Sequence, residues 1–166
     1  MLQIGSQVVY GIHGVCNIID IEARVVDRKK VEYFVLSPSD QPSARFYVPV
    51  HNELAVSKLR PMLTKEELEQ LLSSKDTHAD CWIPDENRRK LKYRDLINGA
   101  DRAAILSMIR VLRRHREEQL AAGRKFHLCD ENFLRDAHKR LNSEFSIVLG
   151  ISQAEVSAYI EKYLVE

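Results

Sequence analysis

Along the first third of the chain, apolar and polar positions alternate in short runs separated by turn formers. Gln7-Val8-Val9-Tyr10 is followed by Gly11 and Gly14, and then by Val15-Cys16-Asn17-Ile18-Ile19-Asp20-Ile21. A charged turn, Asp27-Arg28-Lys29-Lys30, leads into Val31-Glu32-Tyr33-Phe34-Val35-Leu36. A loop carrying Pro38, Ser39, Asp40 and Pro42 precedes Ala44-Arg45-Phe46-Tyr47-Val48-Pro49-Val50. β-branched and aromatic residues grouped in this way predict about four or five short strands in a curled antiparallel sheet or small barrel.

The texture changes at Leu59-Arg60-Pro61, and from Thr64 the apolar period becomes helical. Thr64 with Glu67 reads as a capping box ahead of the stripe Leu68, Leu71, Leu72. Ser73 to Asp80 is polar and reads as a linker. Pro84-Asp85-Glu86 then opens a helix that Asn98-Gly99 closes. Asp101 starts what should be the longest helix, with Ile105, Met108, Ile109 and Leu112 on one face, ending near Gly123. Two more helices are expected, from about Asp130 to Leu149 and from Ser152 onward, the latter with Ser152 and Glu155 as a second capping box. The fold class expected is α+β in sequence order: a bent antiparallel β-sheet, then an all-α domain of about four to five helices. Residues 1–60 would form the β domain, 61–81 a connecting helix and linker, and 82–166 the helical domain.

Charge separates the two halves more sharply than the totals suggest. The net charge of +1 conceals seven Lys or Arg against six Asp or Glu in residues 1–60, but twelve against four in residues 88–126. A local basic excess is what phosphate binding requires. Cys16, Cys81 and Cys129 lie far apart without metal-ligand spacing, which argues against a zinc site or a disulfide scaffold and for a reducing compartment. The start of the chain lacks the pattern of a secretory signal, and no apolar run is long enough to span a bilayer. A cytoplasmic protein is expected.

The candidate chemistry is that of binding. The histidines form no HxxxH or HExxH pattern, and neither a phosphate-cradling glycine loop nor a GxSxG elbow is present. No enzymatic activity, cofactor or small-molecule substrate is therefore expected. Trp82, the single tryptophan, stands at a junction between linker and helix. It can pack as a staple between helices or wedge into a partly unstacked base step. Arg88, Arg89, Lys90, Lys92 and Arg94 crowd two turns of one helix; they read either as a solvated face or as phosphate contacts, with Arg88, Arg89 and Lys92 the leading candidates. Arg124 and Lys125, after Gly123, are weaker candidates for the DNA backbone. In the β half, Arg24, Arg45 and Tyr47 interrupt apolar strands, with Arg45 and Tyr47 on one face by the period of two. Such residues suit solvent or a docked protein equally.

Taken in order, Ile4-Gly5-x-x-Val8-Val9-Tyr10-Gly11-x-x-Gly14-Val15, Glu32-Tyr33-Phe34-Val35-Leu36, Tyr47-Val48-Pro49-Val50 and Leu59-Arg60-Pro61 resemble the CarD-like family, whose N-terminal module is shared with the transcription-repair coupling factor. The Trp ahead of a basic helix, the helix break and the Arg-rich helix extend the resemblance over nearly the whole chain. It implies a Tudor-like module that binds the β subunit of bacterial RNA polymerase through Arg24, Arg45, Tyr47 and Pro49. It also implies a helical domain at the upstream edge of the transcription bubble, with Trp82 as a minor-groove wedge, and so a nucleoid-associated regulator of open-complex stability. A protein-only adaptor without DNA contact is the alternative. Two departures stand out: a longer spacer between Trp82 and Gly99, and the acids Asp85 and Glu86 beside the wedge.

Overall fold

The computed structural model describes residues 2–73, 82–99 and 101–164, the side chains of Ile12 and Leu164 excepted. Residues 74–80 of the expected linker, and Cys81, lie outside these. The chain divides into two compact units, Met1–Met62 and Leu63–Glu166.

The first unit is an antiparallel sheet of β1 (Gln7–Tyr10), β2 (Val15–Val26), β3 (Lys29–Pro38), β4 (Phe46–Pro49) and β5 (Leu59–Pro61), in the order β4-β3-β2-β1-β5. A single helical turn, α1 (Glu53–Val56), separates β4 from β5; Asn52 caps it, its side chain accepting from the Ala55 amide at 3.1 Å. The alternation seen in the sequence becomes a core of Val8, Cys16, Ile18, Phe34, Leu36, Val48 and Leu59. Its phase changes once, in β2. Ile18 pairs with Leu36 and Asp20 with Val35, so Ile19 is the extra residue of a β-bulge. Without that slip Asp20 would oppose Phe34; with it, Ile21, itself exposed, takes that place and Asp20, Glu22 and Arg24 go to the opposite face. β2 and β3 join through Asp27 and Arg28, both with positive φ (51° and 65°), as a mirror-image two-residue hairpin turn requires.

The second unit packs five helices: α2 (Lys65–Ser73), α3 (Glu86–Asn98), α4 (Arg102–Ala121), α5 (Leu128–Leu149) and α6 (Gln153–Leu164). Local capping sets their starts. The Thr64 amide donates to Glu67 Oε2 at 3.0 Å and Thr64 Oγ1 accepts from the Glu67 amide at 3.1 Å; Ser152 and Glu155 repeat the arrangement at 3.0 and 3.2 Å. Asp85 and Asp101 cap α3 and α4 by accepting from Arg88 and Ala104 amides. Leu68, Leu72, Tyr93, Ile105, Ile109, Leu112, Leu134, Leu141, Phe145, Val156 and Ile160 share one core. The α2 helix, expected as part of a connector, thus contributes Leu68 and Leu72 to the helical unit. Nor is α4 the longest helix, for α5 has 22 residues against 20. Asp130, expected to open α5, instead lies inside its first turn with its side chain buried, and the helix begins at Leu128.

A buried ion pair ties the start of this unit to its centre. Glu144 accepts from Arg102 at 2.7 and 2.8 Å and from the Leu63 amide at 3.0 Å. Arg140 donates to the carbonyls of Ile97 and Gly99, satisfying the end of α3.

Candidate protein and nucleic-acid interfaces

On the β unit, the phase change in β2 gathers Glu22, Arg24, Tyr33, Tyr47 and Pro49 on the face away from the core. Tyr33 pairs with both Glu22 and Pro49, and the Arg24 guanidinium lies 4.1 Å above the Tyr47 ring while its Nη2 donates to Glu22 at 3.2 Å. Tyr33 meets Tyr47 edge-on at 6.5 Å. Arg24 and Tyr47 are exposed, so the cation–π contact holds two large side chains in place on an accessible surface. Arg45 stands just before β4, an edge strand, and its guanidinium folds back onto its own loop. It donates to the carbonyls of Pro42 and Ala44 and, at 3.4 Å, to Ser37 Oγ.

In the helical unit the candidate cations separate according to the face of α3 they occupy. Arg88 and Lys92, four residues apart, are exposed and form no ion pair among the described residues; Leu91, 63% exposed, lies between them. Lys90 is paired along the surface with Glu86 at 3.0 Å. Arg89 points the other way. It is 4% exposed, and its Nε and Nη2 donate to the two oxygens of Asp130 at 2.8 and 3.1 Å. Asp130 is itself fully buried. Burial opposes the charge of Arg89, but the hydrogen bonds and negative charge of Asp130 outweigh it and raise the guanidinium's pKa above its usual value. Arg89 was expected among the phosphate contacts; buried and engaged by Asp130, its guanidinium is instead part of the domain's interior.

Trp82 sits at the meeting of this pair with α4. Its ring stacks on His115 with centroids 3.5 Å apart and planes 11° from parallel, and the Arg89 guanidinium lies 4.4 Å over the ring. The indole is half-buried against the helical core. A cleft of about 260 Å³ opens beside it, lined by Pro84, Glu86, Gln119 and His127 as well as Trp82, Arg89 and His115. Burial lowers the pKa of His115, which keeps the stacked imidazole neutral near pH 7. Phe126 reaches within 6.3 Å of His115, and Arg124 and Lys125, both exposed, precede it in the connection between α4 and α5.

Of the sequence candidates, the structure groups Arg24, Tyr47 and Pro49 on one face of the sheet, with Arg45 at its margin. It sets Arg88 and Lys92 on one exposed face of α3. His115 and Asp130 escaped the sequence reading. A signal for Asp130 exists: with Leu134, Ala137 and Leu141 it follows the spacing of a core stripe, where a carboxylate requires a buried partner. His115 had no comparable signal. Among the described residues no group of three His, Cys, Asp or Glu side chains could hold a metal, and no helix is long and apolar enough to cross a membrane.

Residues 2–60 match the CarD-like/TRCF RID domain. No curated protein matches the chain.

Proposed function

We propose, from the premise that the N-terminal module belongs to the CarD-like/TRCF RID domain family, that this protein is a non-enzymatic, cytoplasmic transcription regulator. It docks on the β subunit of RNA polymerase and contacts promoter DNA at the upstream edge of the bubble, altering the stability of the open complex. The observation that carries the docking half is the exposed Arg24–Tyr47 pair, with half-buried Tyr33 against it, on the outer face of a module of that family. Two preorganised aromatic rings and a guanidinium have the composition of an interface hot spot. Pro49, at the end of β4, and Arg45, just before the strand, extend the contact along the sheet edge.

The DNA half rests on Trp82 as a wedge, with Arg88, Lys90 and Lys92 of α3 and Arg124 and Lys125 as backbone contacts. Arg88 and Lys92, exposed on the helix that follows a partly exposed indole, suit phosphate contacts that accompany a minor-groove insertion and the unstacking of a base step. Polymerase binding raises the effective DNA concentration at this surface, so its affinity for free DNA can be low. The protein-only adaptor has one observation in its favour: Trp82 already stacks on His115, as an interhelical staple does.

Two measurements on the full-length protein separate these readings. Arg24→Glu and Tyr47→Ala should abolish retention of RNA polymerase in a pull-down, whereas Arg88→Ala/Lys92→Ala should retain it. In the polymerase–promoter complex, the Arg88→Ala/Lys92→Ala protein should lower the salt dependence of DNA contact by about two phosphate equivalents. Normal retention by the β-module variants contradicts the docking surface. A salt dependence identical to wild type favours the adaptor.

A further inference from the structure

The segment that carries Trp82 has no regular structure of its own. Residues 82–85 belong to neither helix nor strand, so the backbone does not by itself orient the indole. Arg89 does so from inside the domain. Besides its two bonds to Asp130, it donates to the Ile83 carbonyl at 3.0 Å and, at the limit of a hydrogen bond, to that of Pro84 at 3.5 Å, while its guanidinium covers the Trp82 ring. His115, from α4, adds the parallel stack. Three helices thus converge on one side chain: α3 through Arg89, α5 through Asp130 and α4 through His115.

An ion pair buried this completely stabilises a domain no better than apolar residues of equal volume. What apolar residues could not supply is a planar fork that grips a carboxylate, a backbone carbonyl and an aromatic ring together. We infer that Arg89, anchored by Asp130, and His115 are positioning residues for Trp82, holding the indole in one orientation so that its uncovered part meets an unstacked base step already ordered. The inference rests on the DNA-contact reading above, but its first readout does not involve DNA.

Trp82 is the single tryptophan of the 166-residue chain, so the tryptophan fluorescence of this chain reports this site alone. His115→Ala removes the stack, His115→Phe restores a flat ring, and Arg89→Lys keeps the charge while losing the fork. Acrylamide quenching of Trp82 in the free protein should rise in His115→Ala and Arg89→Lys and return to the wild-type level in His115→Phe. The lifetime of the polymerase–promoter open complex should lose the protein's effect in the same two variants and recover in the third. The loss should be roughly two- to ten-fold, the range that ordering one side chain before binding is worth. Far-ultraviolet circular dichroism and melting temperature identify variants that merely unfold. Quenching unchanged in both folded variants overturns the inference. So does raised quenching with an open-complex lifetime equal to wild type. A Trp82→Ala protein as active as wild type would instead strike the DNA-contact reading, and that arm is scored separately.

Discussion

Replacing Asp130 with alanine removes the partner of a guanidinium that cannot discharge itself. The side chains of Arg89 and Asp130 are 5% and 0% exposed, so water cannot take over the lost bonds without opening the domain. Breaking such a pair from one side costs about 3–5 kcal/mol. Domains commonly have about 5–15 kcal/mol of stability in total, so the helical unit would lose a large share. The reverse substitution, Arg89→Met, should cost less, because a stranded carboxylate can take up a proton whereas a guanidinium stays charged. Asp130 also lies in the first turn of α5, where the helix dipole favours negative charge by about 0.3–1 kcal/mol. Removing both charges in Arg89→Met/Asp130→Leu should return the unit to within about 1–2 kcal/mol of wild type. Urea unfolding followed by Trp82 fluorescence measures all three, since the tryptophan lies in the helical unit and leaves the β unit silent. A cost below about 1 kcal/mol for Asp130→Ala, or additive single and double variants, would refute the reasoning.

Two other outcomes follow from the geometry. Burial lowers the pKa values of His115 and His138. At His115, Asp130 and Glu118 oppose that shift while Arg89 and His127 add to it; at His138, Glu161 opposes it and Arg113 and Arg116 add to it. A histidine with a depressed folded-state pKa stabilises fully above its unfolded value of 6.5 and loses that contribution as pH falls toward the folded value. The melting temperature of the helical unit should therefore stay nearly level above pH 6.5 and drop as pH is lowered below it, less so in His138→Gln, and a profile that stays flat below pH 6.5 would contradict it. In the β2–β3 turn, Arg28 carries a φ of 65° that costs a non-glycine residue about 1–2 kcal/mol. Arg28→Gly should raise the thermal midpoint of the β unit modestly, since the entropy of glycine returns about half of that gain; a lowered midpoint would show that the side chain contributes more than the strain removes.

Strands and caps were legible because both are local. Alternation marks Val8, Phe34, Leu36 and Val48, and Thr64/Glu67 and Ser152/Glu155 state their own reciprocal bonds. The bulge was not legible, since Ile18 and Ile19 are both apolar and adjacent, and no period distinguishes the inward one from the extra one. That single slip decides which face Arg24 shares with Tyr47. On α3, counting cations grouped Arg89 with Arg88 and Lys92. Its spacing to Tyr93 and Leu96, one and two turns on, would have assigned it to the inner stripe. Trp82 was visible as an unusual residue, but His115 could not be paired with it, because the contact joins residues 33 apart in sequence through the packing of α3 against α4.

The central claim, that this chain docks on polymerase in order to bring Trp82 to the edge of the bubble, is tested most directly by the lifetime of polymerase–promoter open complexes under competitor challenge. It should be measured with saturating wild-type protein, with Trp82→Ala and with polymerase alone. Wild type should change the lifetime several-fold, and Trp82→Ala, still bound to polymerase, should return it to the value for polymerase alone. A wild-type protein that binds polymerase without changing the lifetime, or a Trp82→Ala variant that changes it as much as wild type does, would rule out a role for Trp82 at the bubble edge.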